Sequence, residues 1–107
     1  MSQPNLSNLL QQAQALQEKL KQLQEEAAVK TVEAQSGGGM VRVTVDGSMQ
    51  VRRIEIDPSL IAADDKAMLE DLITVAVNEG LRQAQSMVAA EMGKLAPMGG
   101  FKFPGME

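Results

Sequence analysis

Residues 40–56, MVRVTVDGSMQVRRIEI, alternate apolar and polar side chains on both sides of a central Asp46-Gly47-Ser48. Strand residues alternate faces with period two, so Val41, Val43 and Val45 share one face. A tight turn at Asp46-Gly47-Ser48 returns the chain antiparallel to itself. A two-residue turn would put Ile54 and Ile56 on the valine face and Arg53 beside Arg42 and Thr44 on the other. Met49 and Val51 fit the opposite parity, which a three-residue turn with a bulge near Arg52 would accommodate. Both registers bury one face of the hairpin and force one of the adjacent arginines, Arg52 or Arg53, outward near Arg42. The apolar face must be covered by the flanking segments.

Both flanks have helical spacing. In residues 5–28, Leu6, Leu9, Leu10, Ala13, Leu16, Leu20, Leu23 and Ala27 recur at steps of three and four, with Asn5 as a cap after Pro4. Leu9, Leu16 and Leu23, with Ala13, Leu20 and Ala27, also follow a heptad, so this face can meet a partner helix or its own sheet. Residues 29–35, VKTVEAQ, read as a weak strand, and SGGG at 36–39 reads as a loop. Asp57-Pro58 is a helix-start signal that opens one short turn, DPSL. A second long helix starts at Asp64-Asp65 and runs to about Gly93, with an apolar stripe through Leu69, Leu72, Ile73, Ala76, Ala84, Met87 and Val88. Gly80 interrupts it, at a cost of ~1 kcal/mol relative to Ala. The order is helix, three-stranded antiparallel sheet, long helix, an α+β class. Residues 1–96 form the predicted domain, and 97–107 a flexible Gly/Pro-rich tail.

The helices are long for so small a chain. At 1.5 Å per residue they would reach ~36 and ~45 Å, whereas a compact chain of this size has a radius of gyration of ~13 Å. Both would overhang a monomer, which predicts a homodimer. Its expected interface residues are Leu9, Leu16, Leu20, Leu23, Val41, Val43, Ile54, Leu72 and Ala76.

Composition removes whole classes of chemistry. The 107 residues include no Cys, His, Trp or Tyr. Disulfides, thiol catalysis and His-based acid–base catalysis are therefore out of reach within one chain. No apolar run approaches the ~20 residues of a membrane span, and the N-terminus lacks the basic and apolar regions of a signal peptide. The expectation is a soluble cytoplasmic protein that is not an enzyme and needs no cofactor. Asp64, Asp65, Glu70 and Asp71 could hold a divalent ion, but the adjacent pairs lack a ligand spacing, and helix capping explains Asp64 and Asp65. SGGG could cradle phosphate through its amides, yet no GK[ST] or helix follows. The methionines read as core filling.

Net charge is −4, but the acid is local: residues 57–79 sum to −5 and the other 84 residues to +1. The remaining surface need not repel a polyanion. Candidate phosphate contacts are Lys19, Lys21, Arg82 and Lys94 on the helices and Arg42, Arg52 and Arg53 on the sheet. No aromatic platform is present for stacking bases, and no helix-turn-helix spacing appears. These cations can equally be ordinary solvated charge, partly neutralised by Glu18, Glu25, Glu26, Glu33 and Glu55; read as phosphate contacts, they would let a dimer grip one stretch of double-stranded DNA by its backbone. The alternative is a protein-interaction adaptor that uses the heptads and methionine-rich faces.

The ordered set "VRVTVDGS", "VRRIEIDPSL" and "DDKAMLEDLITVAVNEG", with the leading "NLLQQAQALQEKLKQLQEE" and the closing "PMGGFKFPGM", resembles the YbaB/EbfC family of bacterial nucleoid-associated proteins. The resemblance covers nearly the whole chain and is most specific over residues 41–78. It implies a dimer of helix–sheet–helix protomers with helices protruding like tweezers. It also implies DNA binding with relaxed sequence preference, nucleoid organisation and effects on transcription. It suggests partners among recombination or replication proteins. Gln11 stands where members often carry Lys. Gly80 stands where Ala is common, which predicts a flexible point in the second long helix.

Overall fold

The structure, a computed structural model, describes residues 6–95. The expected tail and its boundary lie outside the described residues. Helix α1 spans Leu6–Val29, followed by strand β1 (Thr31–Ser36), a tight turn at Gly37–Gly39, β2 (Val41–Asp46) and β3 (Val51–Ile56). A short helix α2 (Pro58–Ala62) and the long helix α3 (Lys66–Met92) complete the fold, with one further turn at Gly93–Leu95. The Asp57 carboxylate caps α2 by accepting from the Ser59 N–H, and Asp65 caps α3 by accepting from the Met68 N–H at 3.0 Å.

The sheet is antiparallel in the order β1-β2-β3. Val32, Ala34 and Ser36 of β1 lie opposite Val45, Val43 and Val41, so the inner face is continuous across the two strands. Helix α3 covers it, and Val41, Val43, Val45, Ala76 and Ala84 are fully buried there. The Ser36 hydroxyl donates to the Leu72 carbonyl at 2.6 Å, tying the end of β1 to α3. In the second pair, Val41 faces Ile56, Val43 faces Ile54 and Thr44 faces Arg53, but Val45 faces Val51. Arg52 is thus the extra residue of a bulge. The turn closes through the Met49 N–H to the Asp46 carbonyl at 3.0 Å, with Met49 at φ +65°. This is the three-residue turn with its bulge at Arg52, and it reconciles the two parities.

Gly80 corrects the flexible-point expectation. Helix α3 runs unbroken through it, and the residue is buried on the sheet. A Cβ there would stand 2.7 Å from Val45 Cγ2, so the missing side chain sets how closely helix and sheet approach. Gly47 does the same for the hairpin and α1: its N–H donates to the Lys30 carbonyl, and a Cβ would overlap the Ala27 carbonyl.

The molecule is elongated, 79 × 27 × 16 Å, with a radius of gyration of 21.0 Å. Helix α3 alone accounts for ~40 Å. Helix α1 packs on α3 through its C-terminal half, where Leu23 and Ala27 are buried. Residues 6–15 are exposed on every side, so the first half of α1 projects clear of the body.

Candidate nucleic-acid interface

The face of the sheet away from α3 is polar and open. Cross-strand neighbours place Gln35, Arg42 and Glu55 in one row and Glu33, Thr44 and Arg53 in the next. Arg53 pairs with Glu55 at 3.0 Å on its own strand. Arg52, displaced by the bulge, turns to Asp46 and donates to its carboxylate at 2.5 Å. Asp46 is completely buried and also accepts from the Ser48 hydroxyl, the Ser48 N–H and the Gln50 N–H. The Ser48 hydroxyl, the Gln50 N–H and Arg52 hold its pKa well below the usual carboxylate range, against the opposing effect of burial. Both adjacent arginines therefore have an acid partner. Arg42 has no carboxylate partner among the described residues.

On the helices, Arg82 forms an ion pair with Glu79 one turn earlier in α3. Lys94 pairs with Glu91 at 2.8 Å, and Lys30 reaches the other oxygen of the same carboxylate. Glu91 is buried, and Lys30 first and Lys94 second keep its pKa low. This cluster fastens the end of α1 to the end of α3. Lys19 and Lys21 have no carboxylate partner among the described residues. Two positions apart on a helix, they project ~200° from one another and flank the apolar stripe of α1 on opposite sides.

The candidate cations thus do not form one patch. Arg52, Arg53, Arg82 and Lys94 are locally neutralised, whereas Lys19, Lys21 and Arg42 keep their charge uncompensated. The SGGG segment makes a turn with all three glycines at positive φ, and a strand follows it where a phosphate loop would need a helix. Asp65, one of the carboxylates considered for metal, is occupied in capping.

The expected interface residues also divide. Val41, Val43, Ala76 and Leu23 are consumed by the protomer's own core and offer no surface to a second copy. Leu9, Leu20 and Ile54 are exposed, and Leu16 and Leu72 are half-buried. Helix α3 lies over β1 and β2, so the inner face of β3 is uncovered, with Val51 40 % and Ile54 43 % exposed. An open groove also runs between the free edge of β1 and α3, lined by Glu33, Gln35, Val75, Asn78, Glu79 and Arg82 among others. Among the described residues, no helix is long and apolar enough to cross a membrane.

Comparison with known proteins agrees with this architecture. The model of the YbaB/EbfC DNA-binding family matches residues 1–100. A nucleoid-associated protein of Syntrophobacter fumaroxidans is 50 % identical over 100 residues, covering 94 % of this chain and 89 % of that protein. A nucleoid-associated protein of Thermoanaerobacter pseudethanolicus is 46 % identical over 102 residues, covering 95 % and 90 %. The crystal structure of an uncharacterized protein from Helicobacter pylori superposes with a TM-score of 0.67 at 26 % identity, covering 90 % of this chain and 97 % of that one. Helix–sheet–helix order, an open polar sheet face and a projecting first helix are therefore features of a chain that belongs to the YbaB/EbfC DNA-binding family.

Proposed function

We propose that the protein binds double-stranded DNA as a homodimer, with relaxed sequence preference, and thereby organises the nucleoid and modulates gene expression in the cytoplasm. The observation that carries this reading is where the uncompensated cations lie. Lys19 and Lys21 sit on or near the projecting part of α1, and Arg42 sits on the open sheet face. Such scattered side chains reach phosphates, which are the same at every base pair, so they confer affinity without sequence information. A second copy is needed on two grounds. Three cations per protomer bind weakly, and two sets act together on one duplex. The uncovered Val51 and Ile54 on β3 supply an apolar face for the contact.

Fluorescence anisotropy with short duplexes of different sequence, at about 50 and 200 mM salt, tests the reading. Saturable binding that weakens steeply with salt and changes little with sequence supports it. Absence of binding at the lower salt by folded protein overturns it. A second reading, an adaptor for recombination or replication proteins, draws on the groove beside β1, where a free strand edge meets exposed Val75. Pairing of a strand with that edge through main-chain hydrogen bonds would lack the steep salt slope of phosphate contacts.

A further inference from the structure

Helix α1 reaches the sheet without a linker. Only Lys30 separates Val29, the last residue of α1, from Thr31, the first of β1. The Lys30 N–H donates to the Ala27 carbonyl at 3.1 Å, and its carbonyl accepts from the Gly47 N–H at 3.0 Å. Its backbone is thus tied both to the last turn of α1 and to the hairpin. Its side chain crosses to α3 and meets Glu91, whose side chain is 9 % exposed. Among the described residues this is the only ion pair between the α1–β1 joint and α3. Lys94 takes the other Glu91 oxygen at 2.8 Å, but from the turn that continues α3 itself. Glu26 of α1 accepts from Gln22 at 3.2 Å and acts on Lys94 only through space.

We propose that the Lys30–Glu91 ion pair fixes the direction in which α1 projects, which makes Lys30 and Glu91 positioning residues for the DNA contacts of Lys19 and Lys21. The functional half of this inference rests on the DNA-binding reading above. The buried residues of α1 are Leu23 and Ala27. Apolar contact is non-directional, so a helix seated on one leucine and one alanine can tilt about them. A charge-assisted hydrogen bond to a buried carboxylate has a direction, and this one acts at the root of the lever. Measured from Ala27, Lys19 is ~12 Å along the helix and Leu6 ~32 Å. A tilt of about 10° would move the first by ~2 Å and the second by ~6 Å. Even the smaller shift exceeds the ~0.5 Å range of distances over which an N–H···O hydrogen bond forms. Lys94 keeps Glu91 compensated whatever Lys30 does, so the link to α1 can be cut without leaving a buried carboxylate unpaired.

Because the sequence has no cysteine, spin labels at Gln12→Cys on the exposed part of α1 and Asn78→Cys on α3 report the direction of the arm. Labelled protein is diluted into excess unlabelled protein, so that pulsed EPR reads distances within one chain. The expected result is a narrow distribution in the parent, about twice as wide or wider in Lys30→Gln, and narrow again in Lys30→Arg. Lys94→Gln, which removes the same charge without cutting the link, should keep the parent width. An unchanged width in Lys30→Gln, or equal broadening in Lys94→Gln, would overturn the proposal. Should Lys30→Gln fail to fold, the near-isosteric Glu91→Gln gives the same readout. Glu91→Gln also tests the functional half, because its two effects on binding have opposite sign. Loss of an acid alone strengthens the positive field felt by a phosphate and tightens binding, whereas a released arm weakens it. We expect duplex affinity to fall by about fivefold or more at about 50 mM salt. Equal or tighter binding would remove Lys30 and Glu91 from the positioning of the DNA contacts. The distances need no DNA, so a parent protein that binds no duplex would sink the binding reading and leave the test of the arm intact.

Discussion

Gly80 of α3 rests directly on Val45 of β2, so closely that a Cβ on Gly80 would stand 2.7 Å from Val45 Cγ2, with Ala34 Cβ and Val43 Cγ1 each 3.7 Å away. The helix lies low on the sheet because this position carries no side chain. In an exposed helix, Gly→Ala would stabilise by about 1 kcal/mol through propensity. Here the methyl must push the helix off the valines, and overpacking of this kind costs roughly 1–3 kcal/mol. Gly80→Ala is expected to lower stability by a net of about 1 kcal/mol, and by no more than about 2, read from urea denaturation at constant m-value. A stabilised variant would mean that α3 is not seated on Val45.

Met49 makes a second sterically demanding point. It occupies the left-handed region at φ +65°, where a side chain is strained, yet its side chain packs against the core. Backbone strain and packing oppose one another and can be separated. Met49→Ala keeps the strain and loses the packing, whereas Met49→Gly loses both. We expect the Gly variant to be the more stable of the two by about 1 kcal/mol, the reverse of the usual order. Thermal melts of the pair decide this.

Asp46 predicts an acid-sensitive hairpin. Hydrogen bonds from Ser48 and Gln50 and the Arg52 ion pair lower its folded-state pKa, while in the unfolded chain the group titrates near the ordinary value of about 3.9. A lowered folded pKa means that the unfolded state binds the proton more readily. The stabilising contribution is therefore complete above about pH 4–5 and is lost as pH falls toward the folded value. Asp46→Asn removes the charge that Arg52 and the N–H groups recognise. The variant should be less stable than wild type at pH 7, and the gap should narrow as pH is lowered through 4 to 3. Urea midpoints across that range test both the sign and the window.

The ion-pair pattern ranks the cations for DNA. Lys19, Lys21 and Arg42 lack a carboxylate partner among the described residues, whereas Arg82 and Lys94 have Glu79 and Glu91. Lys19→Gln, Lys21→Gln and Arg42→Gln should each weaken binding and flatten the log–log salt dependence by about 0.9 per phosphate contact removed. Arg82→Gln should change the slope little, because its charge is already neutralised within one helical turn. Equal slopes for Lys21→Gln and wild type would remove Lys21 from the interface.

Local chemistry was enough to read most of the fold. Periodicity of three and four along α1 and α3, alternation along β2, the Asp57-Pro58 start and the Asp65 cap each depend on neighbours within a few residues, and each appears where its spacing indicates. Gly80 was misread for the opposite reason. Along the chain a mid-helix glycine is only a weak helix former, and its role as a contact point exists because β2 lies beneath it.

The candidate site divides along the same line. That Arg52 and Arg53 could not both face inward follows from the period of a strand, and the sequence alone decides it. Which acid each one meets depends on a bulge that moves Arg52 out of the ladder and onto Asp46, a parity signal visible only as an unresolved choice between two registers. The same holds for the apolar residues: hydrophobicity marked Val41, Val43, Ala76 and Leu23 as needing cover, and packing determined that the protomer covers them itself while Val51, Ile54 and the N-terminal leucines of α1 stay open. Burial is a property of pairs of surfaces brought together from distant parts of the chain, so a linear pattern states which residues must leave water, and the assembled structure decides against what.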